Sequence, residues 1–206
     1  MLKGFPHRKD NIILVAIDII SEDGLEGLST KKIAQRQGIS ESILYKYFSS
    51  LDEVLICVVN YFSRFDDMII NTIKKKEIPY CQKIFEFLKS YVELYENYPN
   101  LPSVLLNYDA LLKNTHTKDL VLGIMYKRCG FLSELITGAQ KQHEINDLFS
   151  PQDLCDIIFG YLNSIILKWK INSFGFSLKN EFLTVLEKLL KSLSLKDELF
   201  LGENLL

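Results

Sequence analysis

From Gly24 to Phe48 the chain reads GLEGLSTKKIAQRQGISESILYKYF, two short apolar-periodic segments on either side of a glycine. Ser29 is placed to cap a helix over Thr30–Gln37, its hydroxyl accepting one of the first-turn N–H groups that a helix leaves unsatisfied. Gly38 breaks that helix, Ile39 turns inward, and Ser40 caps a second helix over Glu41–Phe48. Helices of two turns are marginal alone, so packing must hold them. Ile33, Ala34, Ile39, Leu44 and Phe48 are the residues expected to lock both against a preceding helix.

That preceding helix is predicted over Lys9–Asp23, with Ile12, Ile13, Ala16, Ile19 and Ile20 forming one stripe and Gly24 ending it. After Ser49-Ser50 the periodicity lengthens. It predicts helices over Asp52–Lys76, Pro79–Asn97, Leu101–Asn114, Lys118–Gln142, Pro151–Ser173 and Leu178–Leu195, with Pro79 and Pro151 in first-turn positions where a missing N–H costs nothing. No segment alternates strictly or carries an Asn-Gly hairpin turn, so the chain reads as all-α. The expected organisation is an N-terminal three-helix domain over residues 1–50, a helical bundle over 51–195, and a frayed tail over 196–206.

The 206 residues carry 24 Lys plus Arg against 26 Asp plus Glu, a net charge of −2, and 48% apolar residues. Ten Gly and five Pro exclude a collagen-like or low-complexity chain, and the near-neutral balance argues against disorder. No stretch approaches the ~18 apolar residues of a membrane helix. The apolar run after Lys3, Arg8 and Lys9 is interrupted by Asp18 and lacks a cleavage pattern, so a cytoplasmic protein without membrane attachment is expected. Cys57, Cys81, Cys129 and Cys155 form no C-x-x-C pair and have no histidine at ligand spacing, which leaves a zinc site without support and favours reduced, buried thiols. Nothing pairs carboxylates or sets a Ser or Cys beside a His, so no catalytic residue, metal or cofactor is expected.

Helix, Gly-centred turn, helix is the spacing of a helix-turn-helix, whose second helix enters the major groove of DNA. The second helix has the surface for it. Ser40, Glu41, Ser42, Tyr45, Lys46 and Tyr47 carry hydrogen-bonding or charged groups, while Ile43, Leu44 and Phe48 can face inward. Ser, Glu and Lys near a helix N-terminus reach base edges, and tyrosine hydroxyls bond phosphate oxygens. From Ser29 to Ser50, Lys31, Lys32, Arg36 and Lys46 oppose only Glu41, a local +3, whereas residues 51–206 sum to −3. Taken singly, Tyr45 and Tyr47 read equally as partly buried aromatics and the lysines as a solvated face.

The stretch resembles the DNA-binding domain of the TetR family of bacterial transcriptional regulators. Ile33-Ala34, Gly38-Ile39-Ser40 and Leu44-Tyr45-x-Tyr47-Phe48 match that pattern in order and spacing, and so does the first helix, over about residues 9–56. The resemblance implies that Thr30, Tyr45 and Tyr47 contact phosphates and that Lys31, Glu41, Ser42 and Lys46 face the groove. Leu51 stands where the family usually has a phosphate-binding lysine, and Asp52-Glu53 follow it. It further implies a homodimer on a palindromic operator, probing double-stranded DNA with two heads and released by a small apolar or amphipathic effector, most often as a repressor. Phe65, Phe87, Tyr91, Tyr108, Tyr126 and Phe131 are the aromatic residues expected to wall an effector pocket. Tyr161, Ile165, Trp169, Phe182, Leu186 and Leu189 on the last two helices are the expected dimer surface, although apolar residues there serve equally as core. The alternative is a helical interaction or small-molecule carrier protein with a degenerate helix-turn-helix.

Overall fold

A computed structural model describes residues 8–195; the expected tail lies outside them. The helices are α1 (Arg8–Asp23), α2 (Thr30–Arg36), α3 (Glu41–Leu44), α4 (Leu51–Ser63), α5 (Asp66–Lys75), α6 (Tyr80–Asn97), α7 (Ser103–Leu106), α8 (Tyr108–Lys113), α9 (Lys118–Lys141), α10 (Pro151–Ile171) and α11 (Leu178–Leu193). No strand occurs among the described residues, and the fold is all-α as expected. The chain divides into two compact units. The first takes the described residues up to Arg64 with Asn100–Ile124, and the second takes Phe65–Pro99 with the described residues from Met125 onward.

In the first unit the α1 stripe Ile12, Ile13, Ala16, Ile19 and Ile20 is buried, joined by Ile17. It packs with Val54, Val58, Val59 and Phe62 of α4, all fully buried. Five buried Ile side chains in one helix are worth about 1.5–3 kcal/mol each against exposure, so α1 is held by packing rather than by helix propensity. Its polar edge is satisfied by the segment that opens α7. Asn100 accepts from the Ser21 hydroxyl at 3.0 Å and donates to Asp18 at 2.7 Å, while the Ser103 hydroxyl donates to Ser21 at 2.8 Å.

The second unit is built around a buried charge pair. Asp66 opens α5 and Arg128 lies on α9; both are buried, at 1% and 5% exposure. The guanidinium donates twice to the carboxylate, from Nε at 2.9 Å and Nη2 at 2.8 Å. The Tyr91 hydroxyl donates to Asp66 at 3.1 Å, and Arg128 Nη1 donates to the Tyr95 hydroxyl at 3.1 Å. Burial is the main cause that pushes the Tyr91 phenol above its ordinary range. Two further carboxylates cap helices in this unit. Glu144 accepts the Tyr80 and Cys81 N–H groups at 3.0 and 2.8 Å, where Pro79 has no side-chain acceptor to offer α6. Glu96 accepts from the Ser177 hydroxyl and the Lys179 N–H at the start of α11. Gly138 lets α9 approach Tyr80 closely, since a Cβ there would fall 2.3 Å from a ring carbon.

Three helices are shorter than the periodicity predicts. The expected helix over Asp52–Lys76 breaks at Arg64-Phe65, where the chain leaves the first unit and Asp66 turns into the core of the second. Leu101–Asn114 divides at Asn107, whose side-chain amide donates to the Ser103 carbonyl and satisfies it without a continuing helix. The α-helical part of Glu41–Phe48 ends at Leu44, and tighter bonds from Lys46 to Ile43 and from Tyr47 to Leu44 carry the turn on to Phe48.

Candidate nucleic-acid interface

Local chemistry sets each end of the helix-turn-helix. The Ser29 hydroxyl accepts the Lys32 N–H at 3.2 Å, and the Ser40 hydroxyl accepts the Ile43 N–H at 3.4 Å. Gly38 sits at φ +63°, the left-handed conformation that ends α2, and the Ile39 N–H reaches back to the Ala34 carbonyl at 3.0 Å. Ile33, Ala34, Leu44 and Phe48 are buried as expected, while Ile39 is only half-buried.

Packing the apolar side inward leaves the polar side out. Lys31, Ser40, Glu41, Ser42, Tyr45 and Lys46 are exposed, Tyr45 at 51%, and Thr30 and Tyr47 are half-buried. The structure thus brings all eight residues into one short segment pair. Thr30 and Glu41 meet directly, the threonine hydroxyl donating to the carboxylate at 2.8 Å, and Ser40 and Ser42 share a hydrogen bond of 2.8 Å. The first of these contacts ties the N-terminus of α2 to that of α3.

The charge on this surface is smaller than the sequence sum suggests. Lys32 pairs with Asp23 at 2.7 Å, and Arg36 pairs with Glu22 and with Asp23, so two of the four basic residues fasten α2 to the end of α1. The hydrogen bond from Arg36 holds the Glu22 carboxyl below its usual range, and that from Lys32 does the same for Asp23. Lys31 and Lys46 have no carboxylate at ion-pair distance among the described residues. At the following helix, Leu51 leaves α4 without a cation in its first turn. Ser50 caps it, and Glu53 turns back to accept the Ser49 N–H and hydroxyl, which lowers the Glu53 carboxyl.

Of the six residues expected at an effector pocket, five lie in the second unit and Tyr108 in the first. Phe87, Tyr91 and Phe131 are buried in the second unit and pack edge to face on one another, with Phe87 5.2 Å from Tyr91 and 5.0 Å from Phe131. Tyr126 is corrected: at 73% exposure it stands in solvent, on the opposite side of α9 from the turns that carry Arg128 inward. Tyr108 belongs to the first unit, where it lies edge-on to Phe62. Phe65 lines an open, mostly apolar groove of about 320 Å³ with Met68, Ile69, Thr72, Ser90, Glu93 and Leu94.

Of the six residues expected at a dimer surface, four are buried. Ile165, Trp169, Phe182 and Leu186 are 4% exposed or less and belong to the core of the second unit, while Tyr161 and Leu189 are half-buried at its edge. The exposed apolar residues missed in the sequence are Ile157, Leu167 and Ile171 on α10 and Val185 on α11. With Gly160, Tyr161 and Ser164, Ile157 and Ile171 form one stripe at helical spacing, opposite the buried stripe. The spacing was there to find, but α10 is apolar nearly all round and apolarity alone does not say which face is covered.

The profile of the bacterial regulatory proteins of the TetR family matches residues 12–56. The fatty acid metabolism regulator protein of Bacillus subtilis is 22% identical over 183 residues, 88% of this chain and 93% of its own length. The nucleoid occlusion factor SlmA of Haemophilus ducreyi is 24% identical over 117 residues, and the chain spans only 58% of that relative's length. Among solved structures, the regulator FadR from Bacillus subtilis in complex with stearoyl-CoA superposes with a TM-score of 0.73 at 22% identity, covering 89% of this chain and 98% of that one. The ketosteroid regulator KstR2 of Mycobacterium tuberculosis gives 0.78 at 11% identity, covering 94% and 98%. At these identities the superpositions establish the fold alone. Residues 12–56, the capped helix-turn-helix with the helices on either side of it, thus match the N-terminal domain of the bacterial regulatory proteins of the TetR family.

Proposed function

We propose that this chain is a ligand-responsive transcriptional regulator that binds a palindromic operator as a homodimer and represses until a small apolar or amphipathic effector releases it. The observation that carries the reading is the polar surface of the helix-turn-helix, where Lys31, Glu41, Ser42, Tyr45 and Lys46 are exposed on two helices fixed by serine caps. In this reading Thr30, Tyr45 and Tyr47 hold phosphates and set the register. Lys31, Glu41, Ser42 and Lys46 face base edges, Glu41 being suited to accept from a cytosine amino group. Residues 1–50 act as the reading head and residues 51–195 carry effector binding and dimerisation. The α10 stripe through Ile157, Tyr161 and Ile171 is the self-complementary face that a two-fold dimer requires. The protein acts in the cytoplasm and catalyses no reaction.

An amphipathic effector is supported by the relative solved with stearoyl-CoA. A gel shift with the DNA flanking the gene tests the whole. Retardation at a palindrome, reversed by stearoyl-CoA or a shorter acyl-CoA and weakened about tenfold in Tyr45→Ala, supports the proposal. Acyl-CoA binding without retardation of any flanking fragment would favour the carrier reading, to which Leu51 and the neutralised Lys32 and Arg36 lend weight.

A further inference from the structure

Two cysteines far apart in sequence meet where α9 and α10 pack in the second unit. Cys129 is half-exposed, and Cys155 is fully buried. The Cys155 thiol lies 3.7 Å from the Cys129 carbonyl oxygen, and its S–H can also be donated to the Cys129 sulfur. One turn beyond Cys129 on the same face, the Ser133 hydroxyl is buried without a nitrogen or oxygen partner and favours the thiolate of Cys155. A buried hydroxyl with no conventional partner is uncommon in a folded chain. Here it stands beside a sulfur.

We propose that Cys129 and Cys155 form an oxidation site in which Cys129 attacks a peroxide and Cys155 resolves the product as an intrachain disulfide. The Cys129 sulfur displaces hydroxide from the O–O bond and becomes a sulfenic acid, the peroxide being reduced. The Cys155 sulfur then attacks that sulfur. Its proton leaves with the displaced hydroxyl as water, and the S–S bond forms. The division of labour follows from the surroundings. Hydrogen bonding from Cys155 lowers the Cys129 thiol to about 7, although burial and Asp156 oppose this and Arg128 assists it. The same hydrogen bond, with burial, raises Cys155. The half-exposed thiol is therefore the one with thiolate at neutral pH, and the buried thiol waits behind it. Cys57, also half-exposed, is raised chiefly by burial, and Cys81 is buried.

The test treats the reduced, full-length protein with hydrogen peroxide at neutral pH and maps unreduced peptides by mass spectrometry. The proposal expects the peptides of Cys129 and Cys155 to be joined with the loss of two hydrogens while Cys57 and Cys81 remain thiols. In Cys155→Ser, which keeps a hydrogen-bond donor beside Cys129 but cannot form the disulfide, Cys129 should become reactive to dimedone; in Cys129→Ser, Cys155 should stay a thiol at the same dose. Iodoacetamide should alkylate Cys129 about tenfold faster than Cys57, because the gain in thiolate outweighs the lower nucleophilicity of a more acidic thiol. Oxidation of Cys57 ahead of Cys129, or of Cys155 in Cys129→Ser at the wild-type rate, would overturn it. So would wild-type protein in which both thiols survive the peroxide. Because Cys129 is half-exposed, Cys129→Ser provides a readout should Cys155→Ser fold poorly.

Discussion

In the helix-turn-helix, Lys31, Glu41, Ser42, Tyr45 and Lys46 stand in solvent, Glu41 bonded to Thr30 and Ser42 to Ser40, whereas in the second unit Asp66, Arg128, Tyr91 and Tyr95 are buried and bonded together. Both sets are polar, but they answer to different constraints. The exposed set can change without cost to the fold, and so is available to a partner. The buried set was taken out of water when the chain folded, and each member depends on the others remaining. A substitution should therefore be read by which unit it strikes. Loss of stability marks the buried network, and loss of binding at unchanged stability marks the reading surface.

The largest effect is expected from Asp66→Ala, which leaves Arg128 charged and buried. Urea unfolding should show a loss of about 3–5 kcal/mol. Replacing both partners, as in Asp66→Leu with Arg128→Met, should recover much of that loss; equal destabilisation by the single and double changes would contradict the paired reading. Next is Gly138→Ala, whose Cβ meets the Tyr80 ring. Overpacking of about 1–3 kcal/mol is expected, relieved by adding Tyr80→Ala. Tyr45→Ala should leave the unfolding midpoint within about 0.5 kcal/mol of wild type and weaken operator binding about tenfold, about 1.4 kcal/mol. Ser29→Ala removes a cap and should cost about 1 kcal/mol in the head alone.

The smallest effect concerns acid. Glu22, Asp23 and Glu53 are each held below the ordinary carboxylate range by hydrogen bonds from Arg36, from Lys32 and from the Ser49 N–H. A carboxyl lowered in the folded state stabilises it above the unfolded value, about pH 4, and that contribution is lost as pH falls through the folded value. Between pH 5 and pH 3 the urea midpoint of Glu53→Gln should therefore drop less than that of wild type.

The same contrast explains what the chain disclosed before folding. The head was legible because its signals are local: Ser29 and Ser40 cap helices three residues on, and Gly38 ends α2 beside them. Its charge was overestimated because the carboxylates that neutralise Lys32 and Arg36 lie on α1, and summing over Ser29–Ser50 omits them. In the second unit the decisive contacts are distant. Asp66 and Arg128 are 62 positions apart, and nothing local announces that the helix must break at Arg64-Phe65 to deliver one to the other. On α10 the buried and exposed stripes are both apolar, so composition does not tell that Ile165 and Trp169 are core while Ile157 and Ile171 are exposed.

The central claim is that the helix-turn-helix reads DNA through the exposed Lys31 and Lys46 and its exposed polar groups. Fluorescence anisotropy of an operator fragment across a salt series tests it most directly, with circular dichroism as the check on folding. Binding should weaken steeply with salt, and Lys31→Ala and Lys46→Ala should each flatten the log–log slope by about one per bound head while the protein stays folded. Wild-type affinity and slope in the folded double variant would contradict the account.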